Sequence, residues 1–166
     1  MATKLSEHFT LEELIKSPTA DKLGIKNTPT PEHIENMKYL CEKVLEPVRA
    51  FFGKPITINS SYRNPEVNKA VGGVPTSQHS NGEAADYEIM GVDNKVVADW
   101  VSENVVFDQV ILEFYNDGEA NSGWVHTSIK RNGANRKQKL LAKKDGKSTK
   151  YVATTDFDPT NAWKKS

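Results

Sequence analysis

The sequence predicts an α+β fold in which helices pack on one side of a mainly antiparallel sheet. Three observations carry this. Ile34, Met37, Leu40, Cys41, Val44, Leu45, Val48, Phe51 and Phe52 recur at helical spacing and make one apolar stripe. Residues 56–62, 107–115 and 124–129 are rich in β-branched and aromatic side chains, the composition of strands. The last two are separated only by a polar turn, residues 116–123, the arrangement of a long-looped antiparallel hairpin.

A chain of 166 residues is long enough to bury roughly 70% of its unfolded surface around one core. Residues 1–155 are read as that domain, and residues 156–166 as a loosely ordered tail. Hydrophobic residues make up 37% and mean hydropathy is −0.61. No run approaches the ~20 apolar residues of a membrane span, so no membrane insertion is expected. Lys and Arg number 22, as do Asp and Glu, without the basic excess of a nucleic-acid binder. The single Cys41 excludes an internal disulfide and a cysteine-rich zinc knuckle. A monomer is the simplest assembly.

In chain order, Thr10 suits the N-cap of a helix through Lys16, with Glu12 and Glu13 in the first turn where the dipole favours them. Ser17-Pro18 ends it, and residues 24–29 connect. Thr30 caps the long helix with Pro31 at its first position, and Pro47 should kink or divide it near Glu46. His33, like His8, reads as an exposed polar residue. Residues 53–55 close that helix and the strand over 56–62 delivers Arg63 at its end. Asn64 caps a short helix through Val71, and residues 72–75 lead into a loop. Asp93 or Asn94 starts a helix that ends near Asn104. Residues 137–143 and 151–155 form a terminal hairpin around Asp145-Gly146.

The loop after Pro75 reads Thr-Ser-Gln-His-Ser-Asn-Gly-Glu-Ala-Ala-Asp, ending at Asp86. His79 and Asp86 are too far apart to share a helix face. A loop turning back at Gly82 into a strand brings both side chains to one point, with Ala84, Asp86 and Glu88 alternating against Ala85, Tyr87 and Ile89. Two such side chains supply two of the three protein ligands of a catalytic zinc, which keeps its fourth position for water. The string S-x-H-x-x-G-x-A-x-D resembles the first metal motif of the zinc D-alanyl-D-alanine carboxypeptidase family. That family includes the vancomycin-resistance D,D-dipeptidases and the L-alanyl-D-glutamate endopeptidases of phage endolysins. Gly123-Trp124-Val125-His126 resembles its second motif, with His126 as third ligand. The opening from Ser6 to Leu14 is similar to that of many phage members.

The resemblance implies a hedgehog/D,D-peptidase-like zinc fold, one Zn2+ held by His79, Asp86 and His126, and the peptidoglycan stem peptide as partner. A closed structural zinc site would need a fourth ligand, for which Cys41 on the apolar stripe is a poor candidate. A peptidase also needs a base to take the proton of water and pass it to the leaving amine. Relatives place a Glu or Asp three positions before the last His, or a His two positions before. Here those positions hold Gly123 and Trp124, a departure from the pattern. Glu113 is the candidate base, in a stretch from Asp108 to Phe114 similar to one found in phage-type relatives; a strand-end Glu reaching solvent is the alternative. Asp108 is the reserve, more in character as a turn or capping residue, and Glu83 and Glu88 rank lower. Arg63 matches the Arg that relatives place beside the zinc, where a planar guanidinium holds an oxyanion or a substrate carboxylate. Ser77 either positions His79 or the substrate or is an ordinary loop serine, and Trp124 is a pocket wall or core.

The expected activity is hydrolysis of a stem-peptide bond, by D,D-carboxypeptidase or L-alanyl-D-glutamate endopeptidase action. The stretch from Met1 to His8 has no apolar run of signal-peptide type, so the expectation is cytoplasmic synthesis followed by action on the wall. A holin would release such an endolysin, and a place in a phage particle is the variant. The basic cluster of Lys130, Arg131, Arg136, Lys137, Lys139, Lys143 and Lys144 reads as solvated surface, with attraction to anionic wall polymer as its functional reading. Two rivals stand beside the enzyme. One is a zinc-containing wall-binding or phage structural module of the same fold without a base; the other is a metal-free domain whose histidines do not converge.

Overall fold

The computed structural model describes residues 3–165; Met1 and Ala2 of the stretch read for a leader, and Ser166 of the tail, lie outside the described residues. Two short helices come first, α1 (Leu11–Ile15) and α2 (Pro18–Leu23). Thr10 and Glu13 cap α1 reciprocally, while Ser17 caps α2 with Pro18 at its first position and Gly24 closes it. Ser17-Pro18 therefore does two jobs, ending one helix and starting a second, which the sequence analysis does not assign.

The long helix is divided as Pro47 requires. Helix α3 (Pro31–Leu40) runs into one π-helical turn, Cys41–Leu45, and continues as α4 (Glu46–Phe52). Proline has no N–H and its ring clashes with the carbonyl four residues back. The wider turn relieves this, the Glu46 N–H donating to the carbonyl of Cys41, five residues back. Met37, Leu40, Cys41, Val44, Leu45 and Val48 on the stripe are fully buried.

Six strands follow: β1 (Ile56–Ser60), β2 (Ala84–Ile89), β3 (Gln109–Glu113), β4 (Trp124–Ser128), β5 (Gln138–Asp145) and β6 (Ser148–Ala153). Between them lie α5 (Pro65–Ala70), a 3-10 turn at Gln78–Asn81, and α6 (Asn94–Asn104). They form one sheet in the order β1-β2-β4-β3-β5-β6, antiparallel except where β5 runs parallel to β3. The α+β class with a mainly antiparallel sheet is as predicted.

Strand alternation gives the sheet two different faces. Ala85, Tyr87, Ile89, Val110, Leu112 and Val125 face the core, where Val97, Ala98, Trp100 and Val101 of α6 join them. The opposite face carries Asp86 and His126, paired in register, with Ile111 opposite His126 and Glu113 opposite Trp124.

The chain end differs from its expectation. Phe157 and Asp158 are buried, and the Trp163 indole donates to Asp99 of α6 at 2.8 Å. Asp158 accepts from the backbone of Thr160 and Ala162 and so caps the turn at Ala162–Lys165. A tail of polar and charged residues hid one aromatic anchor at each end of this segment.

Candidate metal centre

His79 is the second residue of the 3-10 turn, which Ser77 caps: the Ser77 hydroxyl accepts from the His79 N–H at 3.2 Å. Gly82 ends the turn at φ 74°, and a Cβ there would stand 2.6 Å from the His33 carbonyl. Only glycine lets the chain turn so tightly under α3 and enter β2. The Arg63 N–H reaches back to the His79 carbonyl at 3.1 Å, joining the end of β1 to the ligand turn.

Three side chains meet on the sheet face away from α6. His79 Nε2 is 3.4 Å from Asp86 Oδ2, and His126 Nδ1 is 2.9 Å from Asp86 Oδ1. One ligand atom from each of the three lies within 4.8 Å of the others, and all three residues are nearly buried. In a zinc tetrahedron with bonds of ~2.0–2.1 Å, neighbouring ligand atoms are about 3.3 Å apart, so the spacing fits.

The donor chemistry fits as well. His79 Nδ1 lies 2.7 Å from the Ser61 carbonyl oxygen, which only accepts, so that nitrogen carries the proton. The lone pair is then on Nε2, aimed at the cluster, the usual way an outer hydrogen bond orients a metal-binding imidazole. Burial works against charge on Asp86, but the His79 imidazole and the His126 hydrogen bond outweigh it and hold its carboxyl well below the ordinary range. It stands ready as an anionic ligand. Among the described residues no fourth ligand joins the group, and Cys41 is sealed in the core with its thiol held neutral by burial.

Glu113 lies on the same face, across from Trp124, whose indole N–H donates to Oε2 at 2.5 Å. Burial first, then the Asp86 charge, pushes the Glu113 carboxyl up to about 7, against the pull of His126 and the indole. Arg63 is half-buried, its Nε has no hydrogen-bond partner, and the charges acting on it are those of Asp86 and Glu113. Burial depresses its pKa, yet a guanidinium starts so high that it keeps its charge.

Glycine at 123 has a physical reason. Its φ is +62°, and a Cβ would fall 1.9 Å from the Glu113 carbonyl oxygen. No side chain fits there, so an acid three positions before His126 is sterically excluded. Glu113, in register with the next residue Trp124, is on the neighbouring strand.

Asp108, the reserve base, is committed elsewhere. It is fully buried and accepts from the Arg136 guanidinium at 2.6 Å, the Arg136 backbone at 2.8 Å and Gln78 at 2.9 Å. Despite burial, these donors hold it at about 2. It anchors the ligand turn, through Gln78 next to His79, to the segment after β4. Glu88 is bonded to Asn59 and Asn94, and Glu83 to Asn81. Trp124 is half-buried on the metal-facing side, packs its ring on Phe114 at 5.4 Å and is the donor that holds Glu113. The Gln78–Asp108–Arg136 tie and the Ser61 carbonyl went unseen in the sequence, because each joins segments far apart along the chain.

Residues 7–128 match the family described as Peptidase M15, a span that runs from α1 to the end of β4 and contains His79, Asp86, Glu113 and His126. No curated protein matches the chain. With nearly three quarters of its length matched and a His-Asp-His cluster of metal-binding geometry inside that span, the chain belongs to the peptidase M15 family of metallopeptidases.

Proposed function

We propose that this chain is a zinc-dependent peptidase that hydrolyses a peptide bond of the peptidoglycan stem peptide, in the manner of a phage endolysin. The observation that carries the reading is the convergence of His79, Asp86 and His126 beside Glu113 and Arg63. Zinc held by the three residues would supply a Lewis acid for the scissile carbonyl and make hydroxide available near neutral pH.

The chain's own residues supply the rest. Glu113 accepts the proton of the attacking water and returns it to the leaving amine. Trp124 donates to Oε2, which fixes the carboxylate. Arg63 presents a guanidinium whose Nε is unsatisfied within the protein, suited to an oxyanion or to a substrate carboxylate. Ser77 holds the backbone of His79 in place. What supports an enzyme over a module without a base is a carboxyl, Glu113, on the same sheet face and within the electrostatic reach of Asp86 and His126.

The test is digestion of purified peptidoglycan by the zinc-loaded protein, with fragments read by mass spectrometry. Release of single D-alanine identifies a D,D-carboxypeptidase, and release of whole stems cut after L-alanine identifies the endopeptidase. No fragment above the blank would overturn the reading.

A further inference from the structure

The hairpin β5–β6 lies beyond the family match, which ends at residue 128, yet it extends the metal-facing side of the sheet. Ala142 of β5 is in register with Glu113, and Tyr151 of β6 is in register with Ala142. Registered neighbours share a face, so Trp124, Glu113, Ala142 and Tyr151 form one row. It runs beside the row of Asp86, His126, Ile111 and Leu140. Adjacent strands are ~4.8 Å apart, which puts Tyr151 roughly 10 Å from Glu113 between Cα atoms. Only the Ala142 methyl intervenes, within the combined span of the two side chains.

Three further observations bear on Tyr151. Ala142 is only 1% exposed although the hairpin around it is largely open to solvent, so neighbouring side chains close over it. Tyr151 is 54% exposed, and among the described residues its hydroxyl has no hydrogen-bond partner, whereas Tyr87 and Tyr115 bond Thr127 and Asp93. The phenol's pKa is raised by partial burial and then by the charges of Glu113 and Asp86, which places it within their field.

We infer that β5–β6 forms one wall of the substrate cleft and that Tyr151 is a substrate-binding residue, its hydroxyl donating to a carbonyl or carboxylate oxygen of the peptide lying across Glu113. The inference rests on the peptidase reading and adds to it a contact from outside the family-matched region.

The experiment compares zinc-loaded wild type and Tyr151→Phe on a synthetic stem pentapeptide and on an L-alanyl-D-glutamyl tripeptide. Zinc content and melting temperature are recorded for both proteins. Loss of one neutral hydrogen bond to substrate raises KM roughly three- to tenfold with kcat within about twofold. Zinc content and melting temperature stay unchanged, which a merely structural role for the ring would not give. Wild-type hydrolysis with an unaltered KM in Tyr151→Phe overturns the Tyr151 assignment and leaves the peptidase reading standing. A wild type that cleaves neither peptide, nor peptidoglycan, overturns both.

Discussion

The two ends of the sheet are built on different terms. Strands β2 and β4 are buried on both faces, so each of their residues answers either to the core or to the ligand cluster. Strand β6 is exposed along its whole length. From Lys130 to Lys150, Asp145 is the only acid among nine basic residues, while the chain as a whole carries no net charge. Lys143 and Lys150 even stand directly opposite each other, with no acidic partner among the described residues. Side chains in the first region are fixed by packing, whereas those in the second are left open to solvent, at some local electrostatic cost.

The contrast predicts that substitutions near β2, β3 and β4 act on chemistry and folding, and those in the hairpin act weakly on stability. The largest effect should come from Glu113→Gln, which lowers peptide hydrolysis by about 10²–10⁴-fold with zinc content unchanged. A loss under tenfold in a chromatographic assay would move the base elsewhere. Gly123→Ala should cost roughly 2–4 kcal/mol in urea unfolding, because a left-handed alanine is strained and its Cβ meets the Glu113 carbonyl. Wild-type stability in this variant would remove the steric account of the missing acid.

Asp108→Asn should cost about 2 kcal/mol at neutral pH. The donors around the Asp108 carboxyl hold it at about 2, below the 3.8 of a free aspartate. A depressed carboxyl contributes its full stabilisation above its unfolded pKa and loses it as pH falls toward the folded value. Wild type should therefore lose this share between about pH 4 and pH 2, and the variant's thermal melts should be flatter over that window. The smallest effect is expected in the hairpin: Lys150→Gln should raise stability by about 0.2–0.5 kcal/mol by removing a like-charge pair. That gain should fade in high salt; a loss of stability instead would mean that the lysine is engaged.

What the sequence made legible divides along the same line. Periodicity and capping residues located the long helix, its break at Pro47, and the strands that carry Asp86, Glu113 and His126. These are local signals, and the two-residue repeat assigns faces once a strand is known. The helix α2 was also signalled, by Ser17, Pro18 and Gly24, but Ser17-Pro18 served equally as a stop. The parallel seating of β5 on β3 left no local trace, since parallel register depends on a crossover rather than a turn. Tyr151 was accordingly placed on a hairpin but not beside Glu113. The tail is a related case: Phe157 and Trp163 are lone aromatics in a polar segment, and their burial depends on α6 being there to receive them.

The metal content of the purified protein tests the His79, Asp86 and His126 cluster most directly. After equilibration with zinc and removal of excess, elemental analysis should find one ion per chain in wild type. His126→Ala, checked by circular dichroism for a retained fold, should hold none or exchange it far faster. A wild type that retains no ion, or a folded His126→Ala that keeps it as tightly, would contradict the assignment of His79, Asp86 and His126 as a metal centre.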